Sequence, residues 1–373
     1  MPEISVIMPC YNSGSELRRV LSAYEQQDLD VPYEIIAVDD GSNDSTYQIL
    51  TSFTPHRFVL KVLRLSTNQG PAAARNAGIQ VADSPILLFV GDDILPSCGF
   101  LRAHLNAHRI NPELEAAILG HIQWDPAIPQ NSLMKHIDGI GAQQFSYYYM
   151  KSGCKYDFRH FYTANISLKK KFLMRLDRWF DTTFPYAAFE DVELAYRLAR
   201  FGLQIIYVAD CLAYHSHYHT IWSFSERQYR AGMMAWWFIK KCPLVARWLI
   251  RKEHKRAIAW YLLKGWANRK KRFFEIVSME TNLLHFLSFY EWFFHPLIDA
   301  LYLKVLDYFY FKGLIKGALG DSHRVPELLE VFANLYLIPT MNWFLREARI
   351  MKIPIPFGEE VLFQCARQSF SVK

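Results

Sequence analysis

Two pairs of aspartates follow short apolar runs of this sequence. Asp39 and Asp40 come after E-I-I-A-V, and Asp92 and Asp93 come after I-L-L-F-V-G. Carboxylates gathered at one place repel one another unless a cation or a hydrogen-bonding ligand lies among them. Oxygen ligands of this kind suit Mg²⁺ or Mn²⁺, which substrate phosphates commonly complete. Each pair alone is typical of a turn, but the two together indicate a site for a divalent ion and phosphates.

A third acidic pair opens a predicted helix. Glu190 and Asp191 precede a stretch in which Leu194, Leu198 and Phe201 recur at helical spacing, and Gly202 predicts its end. The helix dipole favours negative charge at this position, so these acids have a purely structural explanation. The alternative is that one of them acts as a general base.

Three histidines stand at alternate positions, namely His215, His217 and His219. In an extended segment such residues share one face, and a face of this kind could bind a transition metal. A single histidine is more often structural, so the spacing of the three is what favours a ligand.

The elements that must position these residues alternate along the first part of the chain. Ser13 and Glu16 have the spacing of a capping box and predict the start of the first helix. Short buried strands separated by helices predict an α/β fold with a parallel sheet and helices on both faces. Ligands of such sheets bind at the carboxyl ends of the strands, which is where both aspartate pairs fall. The predicted strands are residues 4–8, 34–38, 59–65 and 86–90.

The composition is that of a globular protein. The chain has 373 residues, 51% of them hydrophobic, and a formal net charge of +6. Disorder and fibrous repeats are therefore excluded, and the length predicts one large domain with a second element, or two domains. No C-x-x-C pair, secretory signal or run of about 18 uncharged apolar residues occurs, so we expect a cytoplasmic protein.

Residues 240–272 concentrate the positive charge. This segment holds twelve Lys or Arg and one acid, together with three tryptophans and helical periodicity. It predicts contact with an anionic partner, such as the inner face of a membrane, a lipid diphosphate or a polyanion. The alternative is a solvated helical face. We divide the chain into residues 1–220, which carry the sheet, and residues 221–373, which we expect to be mostly helical.

Four segments in order resemble glycosyltransferase family 2. They are I-S-V-I-M-P-C-Y-N at residues 4–12, V-D-D-G-S at 38–42, N-Q-G-P-A-A-A-R-N-A-G at 68–78 and G-D-D at 91–93. Each segment alone is a weak match, whereas their order and spacing are specific. The resemblance covers residues 1–225 and implies the GT-A fold and an inverting transfer from a nucleotide-diphospho-sugar.

The resemblance also implies roles for individual residues. Asp93 would hold Mn²⁺ or Mg²⁺, with His215 as the best placed of the histidines for a further ligand. Asp191, in the F-E-D segment, would be the general base. Many family members have an aspartate where this chain has Gly91, which leaves Asp92 and Asp93 as the whole acidic pair. The residues that the resemblance assigns to the nucleotide-sugar are Pro9, Tyr11, Asp39, Asp40, Arg75, Asp92 and Glu190; Asp39 would read the nucleobase edge and Asp92 would face the ribose.

The donor implied by the resemblance is a UDP-sugar, and the acceptor is a glycan or a lipid-linked glycan. Nucleic acid is not expected as a partner. Two other classes stay open. A sugar-phosphate nucleotidyltransferase would need basic residues in the first loop, which has none before Arg18. A non-enzymatic binder of membrane or nucleic acid would explain residues 240–272 but not the acidic pairs.

Overall fold

The structure is a computed structural model of the chain. It describes residues 1–140 and 144–242, and then 299, 302, 303, 305–307, 309, 310, 313, 314, 316 and 317. Most of the basic segment 240–272 lies outside these residues, so its contact with an anionic membrane stays a prediction. The division into residues 1–220 and 221–373 stays a prediction for the same reason.

Nine strands form one mixed sheet. They are β1 (Ile4–Cys10), β2 (Tyr33–Asp39), β3 (Val59–Arg64), β4 (Ile86–Val90), β5 (Ile94–Pro96), β6 (Ala116–Trp124), β7 (Lys155–Tyr156), β8 (Asn165–Lys169) and β9 (Gln204–His215). Their order is β3-β2-β1-β4-β8-β6-β9-β5, with β7 on β9. The first four strands pair in parallel, as the sequence predicts, whereas β8 runs antiparallel to both β4 and β6.

Helices connect and flank the strands. They are α1 (Glu16–Glu25), α2 (Thr46–Ser52), α3 (Pro71–Val81), α4 (Phe100–Ile110), α5 (Ser132–Ile140), α6 (Lys170–Leu173), α7 (Glu190–Ala199) and α8 (Ile221–Lys241). The described residues from 299 to 317 are also helical. Within the described part of the chain, no helix combines the length and the apolar character needed to cross a bilayer.

The core follows from the continuous apolar character of the central strands. Every residue of β2 is buried, and β1 is buried except for one partly exposed position. Strands covered on both faces show such unbroken apolar runs. Gly78 lets α3 approach this layer, because a Cβ there would lie 2.8 Å from the Cγ2 atom of Ile7. The α/β fold class expected from the sequence is confirmed.

The capping box predicted at Ser13 is wrong. Helix α1 begins at Glu16 with Ser15 at its N-cap, and no side chain caps it. The Ser13 hydroxyl instead donates to Asp92 at the end of β4. A local pattern cannot show a contact between residues 79 positions apart. Here the Ser13 hydroxyl bonds to the distant carboxylate and does not cap the helix.

A β-bulge sets the alignment of β6 with β9. The register shifts between Gly120 and His121, and beyond the shift Trp124 pairs with His215. The Asn165 amide fills the bulge, since its Nδ2 donates to the Cys211 carbonyl at 2.8 Å and to the His121 carbonyl at 3.1 Å. Bulges redirect the side chains that follow them, and this one determines which residue faces His215.

Trp124 joins the sheet to a separate helical cluster. Its Nε1 donates to the Met134 carbonyl of α5 at 2.9 Å. Its ring packs with Phe224 of α8 and with residues far along the chain, including Tyr302 and Leu306. The Ser132 and Tyr302 hydroxyls lie 2.7 Å apart. The helical residues beyond 299 therefore pack directly behind the end of β9.

Gly41 should tolerate no side chain. Its φ is +71°, and a Cβ would lie 2.7 Å from the Thr67 carbonyl carbon and 2.8 Å from the Asn68 nitrogen. We expect Gly41→Ala to destabilise the protein by about 1–3 kcal/mol, because left-handed backbone and a clash with main chain add together. Urea unfolding of the variant and the parent measures the difference.

The matched control is Gly153→Ala. Gly153 also has a positive φ, +83°, but nothing lies within 4 Å of the point that a Cβ would occupy. Gly153→Ala should therefore be destabilised only by the left-handed backbone, without a steric clash. Equal losses in the two variants would contradict the steric argument.

Candidate active site

The ends of β1, β2 and β4 meet, as expected, and Asp39 lies buried among them. Its Oδ1 accepts from the Ser42 N–H at 3.1 Å, and its Oδ2 lies 3.1 Å from Nε of Arg64. Asp39 thus sits at the strand end predicted to read a nucleobase. Tyr11, 44% exposed, stands on the neighbouring loop and offers its ring to solvent.

Asp40 has a different place from the one expected. Its two oxygens accept the backbone N–H groups of Gln69 and Gly70 at 2.7 and 2.8 Å. Both oxygens are therefore used to hold the N-Q-G-P turn that begins α3. Asp40 shapes the rim of the site, and these contacts give no support to its assignment as a ligand of the nucleotide-sugar.

Asp92 forms hydrogen bonds with the loop that follows β1, the strand that contains Pro9. Its Oδ2 accepts from the Tyr11 N–H at 3.2 Å and from the Ser13 hydroxyl. Burial, and then the neighbouring charge of Asp93, raise the pKa of Asp92 to about 6. The carboxyl thus connects the end of β4 to the loop after β1, where a ribose is expected.

Asp93 pairs with His215. The His215 Nε2 lies 3.0 Å from the Asp93 Oδ2, across 122 residues of sequence. Burial alone would raise the pKa of Asp93, but the charge of His215 outweighs it and holds the pKa at about 2. Gly91 makes room for this arrangement, because a Cβ at that position would lie 2.6 Å from the Asp93 Oδ1.

The Asp93–His215 pair fits two ligands of one octahedral ion. Two adjacent ligands at about 2.1 Å from such an ion stand about 3.0 Å apart, which is the separation of these two atoms. Among the described residues, no cluster of three or more His, Cys, Asp or Glu side chains could complete a metal site. A metal here would depend on substrate oxygens and water for its remaining ligands.

The other two histidines lie beyond the end of β9. His217 is exposed, and its ring lies 4.5 Å from the ring of buried His219. Neither ring nitrogen of His219 has a hydrogen-bond partner among the described residues. Burial, and then the neighbouring His217, lower the pKa of His219 to about 3. His215 is the one that reaches Asp93, and the ring of Trp124 stacks on it at 5.3 Å.

Glu190 and Arg75 pair with each other. Arg75 Nη1 donates to the Glu190 Oε1 at 2.9 Å, and both side chains are buried. The resemblance assigned both residues to donor binding, whereas in the structure they form an ion pair with each other at the amino end of α7. The adjacent Asn76 exchanges two hydrogen bonds with the Phe180 backbone, at 2.8 and 3.0 Å. This segment of α3 therefore anchors the loop that leads to Asp191.

Asp191 carries the strongest sign of catalytic chemistry. Burial, and then the adjacent charge of Glu190, raise the pKa of this carboxyl to about 7. Two residues before Asp191, Phe189 has a left-handed backbone with φ of +66°. Such strain in a residue with a side chain is concentrated at functional sites. A carboxyl with a pKa near neutrality is suited to accept a proton.

Arg227 is a site residue that sequence reasoning missed. It lies in the second turn of α8, and its side chain is exposed. The charges of Asp93, Asp191 and Glu190 all act on its guanidinium, which lies 5.4 Å from the centre of the Phe224 ring. No ion pair joins it to the part of the chain that the structure describes. An unpaired cation thus faces both the Asp93–His215 pair and the proposed base.

Comparisons of the sequence find one family model and several curated relatives that match parts of the chain. The model described as glycosyl transferase family 2 matches residues 5–175. Validoxylamine A glucosyltransferase of Streptomyces hygroscopicus subsp. jinggangensis is 27% identical over 224 residues, which are 54% of this chain and 53% of that protein. Chondroitin synthase of Escherichia coli is 25% identical over 237 residues, 57% of this chain and 34% of the relative. The chain spans about half or less of the curated relatives it matches.

A solved structure has the same fold. The crystal structure of residues 1–349 of Staphylococcus aureus TarS superposes with a TM-score of 0.50 at 19% identity, over 86% of this chain and 93% of that one. The GT-A fold expected from the resemblance is thereby confirmed. Residues 5–175 match the model of glycosyl transferase family 2, and the motifs and the fold agree with that match.

Proposed function

We propose that this protein is an inverting glycosyltransferase, which moves a sugar from a nucleotide-diphospho-sugar to an acceptor hydroxyl. The observation that carries the proposal is the meeting of Asp191 with the Asp93–His215 pair around Arg227. These residues come from four separate stretches of chain. Their arrangement would supply a base, a phosphate-binding cation and a pair of metal ligands close to one another.

The transfer proceeds in one displacement. Asp191 takes the proton of the acceptor hydroxyl as its oxygen forms a bond to C1 of the sugar. The bond between C1 and the diphosphate oxygen breaks, and the nucleoside diphosphate leaves with that electron pair. Attack from the face opposite the leaving group inverts the anomeric centre. No covalent enzyme intermediate forms, so no nucleophilic serine or cysteine is required.

The strand ends provide the donor site. Asp39 and Tyr11 would bind the base, and Asp92 the ribose. A UDP-sugar is favoured as the donor because the TarS fragment with the same fold was crystallised with UDP. Arg227 would contact the diphosphate, where a positive charge stabilises the leaving group as it departs. A Mn²⁺ or Mg²⁺ ion held by Asp93 and His215 would neutralise the same charge.

The two alternative classes explain less of the site. A nucleotidyltransferase would leave a raised-pKa carboxyl next to a buried Arg–Glu pair without a role. A binder of anionic surfaces would not need the Asp93–His215 pair. The proposed acceptor is a glycan or a lipid-linked glycan, in the synthesis of a surface polysaccharide or a glycoprotein.

One assay separates the three classes. Purified protein is incubated with Mn²⁺ and a panel of UDP-, GDP- and dTDP-sugars, and release of the nucleoside diphosphate is followed. A glycosyltransferase releases it slowly even to water, with one donor preferred. A nucleotidyltransferase instead forms a nucleotide-sugar from a nucleoside triphosphate and a sugar phosphate. If neither reaction occurs with any member of the panel, the enzymatic proposal fails.

The reaction should accelerate with pH up to about neutrality. Asp191 must be charged to act as a base, and its pKa is raised to about 7. We therefore expect kcat/KM to rise about tenfold per pH unit below 7 and to level off above it. The native state holds this proton more tightly than the unfolded chain does. The contribution of Asp191 to stability consequently falls as pH rises from about 4 to 7.

A pH profile of donor turnover, with thermal unfolding measured in the same buffers, tests both statements. In Asp191→Asn the residual rate should lose its slope between pH 5 and 7. An unchanged slope in this variant would assign the titration to another group.

A further inference from the structure

A cluster of aromatic rings beside Asp191 has no role in the transfer steps. The Tyr147 ring lies at its centre, 4.8 Å from His121, 5.8 Å from Tyr162 and 5.7 Å from Tyr207. Asp138 of α5 interacts electrostatically with His121 at one end. We call these five residues the tyrosine cluster: His121, Asp138, Tyr147, Tyr162 and Tyr207.

The tyrosine cluster reaches the proposed base. The charge of Asp191 acts on the Tyr162 hydroxyl and, together with burial, raises its pKa. The Tyr162 ring is partly exposed, as is His121, and Asp138 is exposed. A molecule resting against these side chains would therefore hold one end next to Asp191 and extend along α5. That is the position an acceptor must occupy if Asp191 removes its proton.

Hydroxyl groups converge within the tyrosine cluster, and one of them is unsatisfied. The Tyr207 hydroxyl lies 2.9 Å from Nδ1 of His121. The Tyr147 hydroxyl interacts electrostatically with the hydroxyls of Tyr162 and Tyr207. It is buried and has no hydrogen-bond partner within the described part of the chain. An unmade buried hydrogen bond costs about 1–3 kcal/mol, so a purely structural cluster would be expected to avoid it.

The charges around the cluster determine which acceptor it fits. Asp138 and Asp191 are both acidic, and burial lowers the pKa of His121, which keeps that ring neutral. Arg159 also faces Tyr162, but Asp157 binds its guanidinium through Nε at 2.8 Å. The tyrosine cluster itself contributes no cation, and Arg227, which faces Asp191, is assigned to the donor diphosphate. The cluster therefore offers no positive charge of its own to a phosphate or a carboxylate of the acceptor.

We infer that the tyrosine cluster is the acceptor subsite and that it takes an uncharged, polyhydroxylated sugar ring. This inference rests on the proposed transferase function and names the acceptor class of the same site. The partly exposed rings of Tyr162 and His121 provide apolar surface for the C–H faces of the sugar, and the buried rings of Tyr147 and Tyr207 support them from behind. The Tyr162 hydroxyl, His121 and Asp138 provide donors and acceptors for its hydroxyl groups.

Saturation-transfer NMR on the full chain with UDP and Mn²⁺ tests the inference. The probes are methyl β-D-glucopyranoside and, as its charged counterpart, glucose 6-phosphate. We expect saturation of the ring C–H protons of the neutral glycoside and a several-fold weaker signal from the phosphate. Tyr162→Phe and Asp138→Asn should each weaken the glycoside signal about fivefold, the effect of one lost hydrogen bond.

The control is Tyr196→Phe. Tyr196 lies on α7, as Asp191 does, but its ring packs on Phe158, outside the tyrosine cluster. This variant should leave both sugar and UDP signals unchanged, and the UDP signal should persist in all variants. Absence of any glycoside signal, a stronger signal from glucose 6-phosphate, or indifference to Tyr162→Phe and Asp138→Asn would overturn the inference. Failure of UDP itself to bind would instead refute the proposed function.

Discussion

Asp191→Asn is expected to lower kcat by about 10²–10⁴-fold while the donor still binds. The partly buried carboxyl lies beside Glu190, and its pKa, raised to about 7, makes it a base at neutral pH. Asparagine keeps the shape of the side chain and cannot take the proton. The nucleotide contacts assigned to Asp39 and Tyr11 lie on other elements, so the Kd for the donor should change little. Steady-state rates and calorimetric titration with the donor measure the two effects.

The same substitution should not weaken the fold. Above pH 7 it removes a buried charge next to another acid, so the melting temperature should stay equal or rise. Asp177→Asn, at an exposed position, is the matched control and should change neither rate nor stability. Turnover near the parental value in Asp191→Asn would remove Asp191 from the mechanism.

Asp93→Ala is expected to abolish the dependence of donor binding on Mn²⁺. Asp93 and His215 are the two proposed metal ligands, and the structure brings them within 3.0 Å of each other. Loss of the carboxylate should weaken Mn²⁺-supported donor binding by more than about 100-fold, and His215→Ala by about tenfold. Titration calorimetry with and without Mn²⁺ provides the comparison. It reports binding and is independent of turnover.

Asp83→Asn is a suitable control, since Asp83 is an exposed acid that pairs with Lys61 far from the strand ends that bear Asp93. Its donor affinity should match that of the parent. If EDTA leaves donor binding by the parent protein unchanged, the pair does not hold a functional metal. Arg227 would then be the main cation available to the diphosphate.

Local patterns predicted the central elements well. Strand β4 occupies residues 86–90 as expected, and the helix that begins near Asp191 was also foreseen. These segments combine strong periodicity with clear end signals, so neighbours in sequence decide their structure. The structure gives two motif glycines a steric reason, because Gly41 and Gly78 lie where main chain or a sheet side chain leaves no room for a Cβ.

Residues whose partners are distant could not be read in this way. Ser13 looked like a helix cap and binds Asp92, and Arg75 looked like a nucleotide ligand and binds Glu190. Arg227 carried no signal at all, since it lies on a helix outside the recognised motifs. In each case the deciding contact spans tens of residues or more, and the sequence shows neither its distance nor its direction.

By itself, the sequence determined the resemblance to glycosyltransferase family 2, the α/β class and the presence of three acidic pairs at element ends, because each depends on short segments of chain. The tertiary structure decided which partners and which surroundings each of these acids has. Both oxygens of Asp40 accept backbone N–H groups and Oε1 of Glu190 pairs with Arg75, whereas Asp191 has a raised pKa and Asp93 meets His215. The physical reason is that burial and the nearest charge set the behaviour of a carboxyl, and only folding determines both.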